Sequence, residues 1–234
     1  AIGVRIWRLR DAPLDAELVE RRLRRALGLR AALRPPETTA LRLVHGEGDG
    51  CPGFVIDEYG LESGERIAVL RLDGEGAARF YERVQDTVRD LLRDQGFTGL
   101  LERRDRRSGQ GPVLGFGEVP RGRVRVREHG MTLVGDLWEG QKTGLFLDHR
   151  ESRRRVRELA RGRRVLNLYS YTGGFSVGAG LGGASVVTSV DIAPEAIALA
   201  DATWEANGLD PARHRGLAED ARDFLRIDKE RYEL

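Results

Sequence analysis

Hydrophobic and polar positions fall into two regimes along the chain. The opening Ile2-Gly-Val-Arg-Ile-Trp-Arg-Leu9 alternates apolar and polar residues, the period of a strand. From Asp15 to Leu33 the period lengthens. Val19, Leu23 and Leu27 recur every four residues while Arg21, Arg22, Arg24 and Arg25 crowd the other surfaces, which predicts an amphipathic helix closed by Pro35-Pro36. Between Thr39 and Val126, short apolar runs predict strands over 41–44, 54–57, 67–72, 100–102, 113–116 and 123–127. One helix interrupts them over 77–93, with Phe80, Val84, Val88 and Leu91 on a single face. The glycine-rich run from His45 to Gly53 predicts a turn, and Glu47 and Asp49 are read as part of it. These elements describe a small α+β unit.

After a hairpin and connecting loop over 128–148 and a helix over 150–160, the rhythm becomes strand and helix in alternation. Val165–Ser170 is an apolar strand, Tyr171–Gly174 a turn, and a helix of small residues runs to Leu181. Ser185–Asp191 is the next strand and Pro194–Asn207 the next helix. Pro194 suits the first helical turn and Asn207-Gly208 the C-terminal cap. A short strand near 213–218 and a helical 222–225 follow. Such alternation implies a parallel sheet of right-handed βαβ units, an α/β fold of Rossmann-like type.

Composition narrows the class without deciding it. Hydrophobic residues make up 40% and charged residues 32% of 234, which suits a soluble globular chain. No apolar run reaches membrane-spanning length and no basic-then-apolar leader opens the chain, so the expected location is cytoplasmic. Cys51 is the only cysteine, which excludes an internal disulfide framework and a cysteine-rich metal site. His45, His129, His149 and His214 share no ligand spacing, so no metal is expected. Only Lys142 and Lys229 are lysines among 39 basic residues, and arginine suits phosphate and base stacking. A net charge of +2 is nonetheless no nucleic-acid signature. The runs Arg103–Arg107 and Arg153–Arg157 are read as solvated faces.

Chemistry concentrates where the strand Val165–Ser170 meets Tyr171-Thr-Gly-Gly-Phe-Ser176. Two glycines there let the backbone approach a ligand at the carboxyl edge of the sheet. Asp191 ends the next strand, where a carboxylate accepts hydrogen bonds from ribose hydroxyls. A dinucleotide would want the same carboxylate, but the turn is not G-x-G-x-x-G. A further acid, Asp220 in Glu219-Asp220-Ala221, follows the third strand and can hold an adenine amine, with Ile192 against the adenine face. One adenosine lying across the sheet, as in S-adenosyl-L-methionine, fits better than a dinucleotide. The competing reading of such acids is helix capping.

The stretch Glu139-Gly-Gln-Lys-Thr-Gly-Leu-Phe-Leu-Asp148 adds Gln141 and Thr143 as hydrogen-bonding groups, Lys142, and Phe146 as a stacking face. With Asn167-Leu-Tyr-Ser-Tyr-Thr-Gly-Gly-Phe-Ser176, Val187–Asp191 and the upstream 42–57 string, it resembles the RlmI-type ribosomal RNA cytosine-5 methyltransferases. The resemblance covers most of the chain. It implies a class I methyltransferase sheet, partial here, over 128–234, a small middle domain over 37–127, and the end of a PUA-like RNA-binding domain with a linker helix over 1–36. With the strand-end residues read above, it gives an expected cofactor pocket of Gln141, Lys142, Thr143, Phe146, Asn167, Tyr169, Ser170, Tyr171, Thr172, Gly173, Gly174, Phe175, Asp191, Ile192, Asp220 and Ala221. The expected partner is ribosomal RNA, the expected assembly a homodimer.

The family's Asp-Pro-Pro motif and catalytic cysteine are not found through Leu234, and Cys51 is read as structural, so no catalytic residue is assigned. The expected function is methyl transfer to C5 of a cytosine in large-subunit ribosomal RNA. A guanine or protein acceptor, and a non-catalytic RNA-binding factor of the same fold, are the alternatives.

Overall fold

A computed structural model describes residues 4–9, 11–104, 109 and 111–234. The chain forms two compact units, one of Ala1–Val124 with Asp136–Leu147, the other of Arg125–Gly135 with Asp148–Leu234.

In the first unit, helix α1 (Ala16–Ala32) starts on Asp15, whose carboxylate accepts the Leu18 amide at 2.9 Å. A five-stranded sheet follows in sequence order, from β1 (Ala40–His45) through β2 (Phe54–Gly60), β3 (Arg66–Leu72) and β4 (Gly99–Arg104) to β5 (Val113–Gly117). All neighbours are antiparallel except β3 and β4, which are joined by the crossover helix α2 (Glu75–Asp94). Leu18, Val19 and Leu23 of α1 and Phe80, Val84 and Val88 of α2 close over one face of this sheet, against Leu43, Phe54, Ile56 and Leu70.

The opening strand expected over 2–9 is not formed by the described part of that segment. No neighbouring strand supplies a ladder for it among the described residues. Instead Trp7 is buried, edge-on to Phe54 at 5.2 Å and Phe80 at 4.7 Å, while Val4, Ile6 and Leu9 are exposed. The basic run from Arg103 to Arg107 is interrupted by Asp105, and positions 105–107 lie outside the described residues. Arg103 is buried and donates to the carbonyls of Leu137 (3.1 Å) and Gly140 (2.7 Å), so it is no solvated face.

The second unit is built on a parallel sheet ordered β10 (His214–Ala218), β9 (Val186–Asp191), β8 (Arg164–Leu168). Helices α3 (Arg150–Leu159), α4 (Gly174–Leu181), α5 (Pro194–Ala206) and α6 (Ala221–Ile227) accompany it. On the free side of β8, the Glu233 amide donates to Arg164 O and the Leu166 amide to Leu234 O, both at 2.9 Å. The chain therefore proceeds from β8 to β9 and β10 on one side and returns along the other. That places a topological switch at β8, and open α/β sheets bind ligands beyond the carboxyl ends of the strands at such a point.

The ribbon of β6 (Arg123–Glu128) and β7 (Met131–Asp136) alternates cleanly on its first strand. Val124, Val126 and Glu128 are buried and Arg123, Arg125 and Arg127 exposed.

Candidate functional site

The turn after β8 is the most strained backbone of the second unit. Tyr169 (φ 55°), Tyr171 (φ 47°) and Gly173 (φ 72°) all lie in the left-handed region. For the two tyrosines that conformation costs about 1–2 kcal/mol each, a cost that surrounding contacts must hold in place. Asp191, at the tip of β9, supplies one of those contacts. Its Oδ2 accepts the Tyr171 amide at 2.8 Å and its Oδ1 the Ala193 amide at 3.0 Å. The Ser170 amide donates to Val190 O and the Gly173 amide to Ser170 O, both at 3.0 Å. Two backbone donors thus fix the plane of a partly exposed carboxylate beside the switch point.

Exposed side chains follow the tips of β8 and β9. Tyr169 is 71% and Ile192 70% exposed, unusual values for an aromatic and a branched aliphatic side chain. Ser170 is buried, and its hydroxyl has no hydrogen-bond partner among the described residues. Such an orphan is uncommon in folded proteins and is relieved when a polar ligand group reaches it.

Asp220 stands close by in the topology, since β10 pairs with β9 so that Ala218 lies opposite Asp191. Its Oδ1 accepts the Arg222 amide at 2.8 Å and the Asp223 amide at 3.4 Å, which makes it the N-cap of α6. The capping reading of this acid therefore describes one of its oxygens. Ala221 is buried in the first turn of α6. Thr172 is buried, and the Phe175 ring packs 5.7 Å from that of His149.

The glycine pair also has packing neighbours within the second unit. A Cβ on Gly173 would lie 2.7 Å from the Cβ of Ala200 on α5, and one on Gly174 would lie 3.0 Å from Arg153 Cδ. Close packing against α5 is therefore a reason of its own for glycine at 173, beside any approach of a ligand, and at 174 the near atom belongs to the flexible Arg153 stem.

Behind the turn runs a buried polar chain that apolar periodicity does not signal. The Asn167 amide Nδ2 donates to Ser176 Oγ (2.9 Å), Ser176 meets Ser189 (2.6 Å), and Ser189 meets His214 Nε2 (2.8 Å). Below the turn, Arg153 donates through Nε (2.7 Å) and one terminal nitrogen (2.6 Å) to the two oxygens of Glu128, with both residues buried. The solvated-face reading of 153–157 therefore fits Arg154 and Arg155, which pair with Glu158 at the surface, and fails for Arg153.

Gln141, Lys142, Thr143 and Phe146 belong to the first unit. Thr143 is buried, its hydroxyl donating to Asp57 Oδ2 at 2.5 Å and lying 3.0 Å from the Tyr59 hydroxyl. Arg42 grips Asp57 at 2.9 and 3.1 Å. Thr143 is thus an anchor of its loop on β2, and its hydroxyl is already engaged. Gln141 is exposed, and Lys142 Nζ sits 4.1 Å over the Phe146 ring. Cys51 is buried, and burial pushes its thiol up to about 12, so it is protonated at neutral pH and unsuited to nucleophilic attack.

The family model of the S-adenosylmethionine-dependent methyltransferases matches residues 86–224, which include the turn, Asp191 and Asp220. The chain belongs to this methyltransferase family. Ribosomal RNA large subunit methyltransferase I of Klebsiella pneumoniae is 37% identical over 232 residues, 96% of this chain and 56% of the relative. The protein of the same name from Salmonella arizonae is 36% identical over 99% of this chain and 58% of its own length. The chain thus spans a little over half the length of these curated relatives. Among solved structures, a SAM-dependent methyltransferase from Streptococcus mutans superposes with a TM-score of 0.82 at 29% identity, over 93% of this chain and 56% of that one. Another, SMU.776, was solved with SAH and gives a TM-score of 0.81 at 29% identity, over 93% of this chain and 55% of that one.

Proposed function

We propose that this methyltransferase chain carries the cofactor site of an enzyme that methylates large-subunit ribosomal RNA in the cytoplasm, at C5 of a cytosine. One observation carries the cofactor half of this reading: a carboxylate at the tip of β9, oriented by the amides of Tyr171 and Ala193, beside the orphan hydroxyl of Ser170. In this reading Asp191 accepts the ribose hydroxyls, and exposed Ile192 covers one adenine face. Asp220 takes the adenine amine on the oxygen that does not cap α6, and Ser170 with the turn backbone receives the methionyl end. When bound, S-adenosyl-L-methionine supplies an electrophilic methyl group on a sulfonium. The residues of the turn hold it in line with the acceptor and keep its polar ends satisfied, which is the positioning part of catalysis.

The RNA half rests on the named relatives, on the resemblance of the 42–57, 139–148 and 167–176 strings, and on the arginine face of β6. Arg123 and Arg125 pair with no carboxylate among the described residues, whereas most arginines of the first unit's helices and strands are paired. Side chains two apart on a strand repeat every 6.4–6.8 Å or so, a step that an extended nucleic-acid backbone can follow. C5 chemistry needs a thiolate that adds to the ring; Cys51 does not provide it, so this acceptor requires a thiol that the present sequence does not contain.

Titration of the intact protein with S-adenosyl-L-methionine tests the first half. Asp191→Asn keeps the shape, removes the charge, and is expected to weaken binding about tenfold to a hundredfold, the worth of a charged hydrogen bond. Unchanged affinity in a variant with wild-type urea unfolding overturns the site. Methyl transfer to deproteinised large-subunit RNA by a protein that carries this sequence together with that thiol, located by mass spectrometry, tests the acceptor, and an unmodified RNA or a methyl group on another base rejects it. Replacing Arg123, Arg125 and Arg127 together by glutamine is expected to flatten the salt dependence of RNA affinity. The slope of log K against log salt should fall by about 2–3, from roughly 0.7–0.9 per phosphate contact. An unaltered slope places the RNA elsewhere.

A further inference from the structure

Ser176 and Ser189 are buried hydroxyls on α4 and β9, and His214 on β10 is nearly buried as well. Together with Asn167 at the end of β8 and Asp201 on α5 they form one line of hydrogen bonds across the second unit. Because each hydroxyl carries a single proton, the line has a polarity that chemistry can assign. Asp201 Oδ1 lies 3.1 Å from His214 Nδ1 and can only accept while ionised, so Nδ1 carries the ring proton. In the neutral ring Nε2 is then an acceptor, and the Ser189 hydroxyl at 2.8 Å must donate to it. Ser189 Oγ has only its lone pairs left for Ser176, so the Ser176 hydroxyl donates across the 2.6 Å gap. Ser176 Oγ in turn can only accept, and the group that Asn167 turns towards it is the amide donor, at 2.9 Å. The donor orientation of the Asn167 amide thus follows from the neutral state of a ring three hydrogen bonds away.

We infer that His214 is a positioning residue for the cofactor turn: through Ser189 and Ser176 it sets which way round the Asn167 amide sits, and protonating its ring reverses that setting. The inference rests on the reading that S-adenosyl-L-methionine binds at the 167–176 turn. Its proton balance is simple. A solvent proton goes onto Nε2, which then donates to Ser189 Oγ. Ser189 turns its proton to Ser176, and Ser176 turns its own to Asn167. An NH2 group cannot accept, so the Asn167 amide must rotate to offer Oδ1, and a donor replaces an acceptor on its opposite side.

The groups around His214 act in a defined direction. From α5, Asp201 favours the charged ring, and Trp204 stacks on it at 4.7 Å with 13° between planes. From β9 it meets the Ser189 hydroxyl, and in register it lies opposite apolar Val187. Burial is the largest influence and holds the ring below the ordinary histidine value, against the pull of Asp201. The ring is therefore neutral at neutral pH, and the polarity derived above is the resting one. It is lost as pH falls.

Two measurements on the intact protein test this. In the first, S-adenosyl-L-methionine is titrated from about pH 8 to about pH 5, the span in which histidine changes charge. Wild type should lose roughly tenfold in affinity on acidification, the worth of one misdirected hydrogen bond. His214→Gln can donate to Asp201 and accept from Ser189 without titrating, so it should bind as wild type at neutral pH and keep that affinity in acid. Ser189→Ala cuts the line and should likewise lose the acid response. A wild type whose affinity is flat with pH, or a His214→Gln that keeps the full acid loss, overturns the inference and leaves the cofactor site standing. In the second, the Asn167 side-chain amide is followed by NMR without cofactor. Its resonances should move with the titration of the His214 ring. Resonances that stay fixed overturn the inference whatever binds at the turn, whereas a protein that never binds the cofactor overturns the parent reading alone.

Discussion

Arg153→Met should lower the free energy of unfolding by about 3–5 kcal/mol, the cost of stranding a buried charge. Arg153 and Glu128 are both buried, with two charge-assisted hydrogen bonds of 2.7 and 2.6 Å between them. Methionine fills most of the arginine stem's volume, so little of the loss comes from a cavity. What is lost is the only ion pair of the Glu128 carboxylate among the described residues, in a place water does not reach. The effect is specific to this arginine. Arg154 and Arg155 on the same helix pair with Glu158 at the surface, where an ion pair contributes about 0–1 kcal/mol, and Arg154→Gln should change stability by less than about 1 kcal/mol. The double variant Arg153→Met with Glu128→Leu removes both charges and should recover most of the loss, since apolar replacement of a buried pair is often neutral or better. Urea unfolding of the four proteins reads this out. A single variant within 1 kcal/mol or so of wild type would show that water enters and screens Glu128. The consequences extend to the site, because Arg153 Cδ would lie 3.0 Å from a Cβ on Gly174 and the guanidinium sits 5.9 Å from the Phe175 ring. The first turn of α4 leans on this side chain.

That pair also marks the limit of what the sequence discloses. The order of elements is legible because it is written in periodicity. A short apolar strand, a turn, a helix of small residues and a strand ending in an acid give β8, α4, β9 and Asp191, and Pro194 opens α5 where its fixed φ suits a first turn. The family shows in the same residues. Arg153 is invisible to that method: a polar residue in a basic run reads as surface, and the partner that keeps it buried lies 25 positions earlier on another element. Ser176 and Ser189 are hidden for a related reason, as small polar residues fit either face of a helix or strand until their partners are placed. Thr143 is legible as a residue that matters, but its engagement by Asp57 and Tyr59 depends on pairings 86 and 84 residues long. The described part of the opening alternation, residues 4–9, forms no strand because pattern sets only a preference, and no neighbouring strand among the described residues offers it a ladder. Trp7 gains more by entering the core beside Phe54 and Phe80.

Gly173→Ala is the second large effect, and here two costs can be separated. The position has φ 72°, which charges any L-residue about 1–2 kcal/mol. The added methyl would also stand 2.7 Å from Ala200 Cβ and 2.9 Å from its Cα, and overpacking of that kind adds about 1–3 kcal/mol. Together they predict a loss of about 2–5 kcal/mol in urea unfolding. Gly162 supplies the control: its φ is 71°, and a Cβ there meets nothing within 4 Å. Gly162→Ala should therefore show the backbone cost alone, and the difference between the two variants isolates the crowding against α5. Crowding has a further effect that backbone strain at Gly162 lacks. To admit the methyl, α5 or the turn must shift, and the Ala193 amide just before α5 and the Tyr171 amide in the turn are the two donors that orient Asp191. S-adenosyl-L-methionine affinity should accordingly fall in Gly173→Ala and hold in Gly162→Ala. Equal losses of stability with a large loss of affinity at 173 alone would mean that Ala200 yields freely. Glycine would then be kept at the turn for room beside the cofactor rather than for room beside the helix.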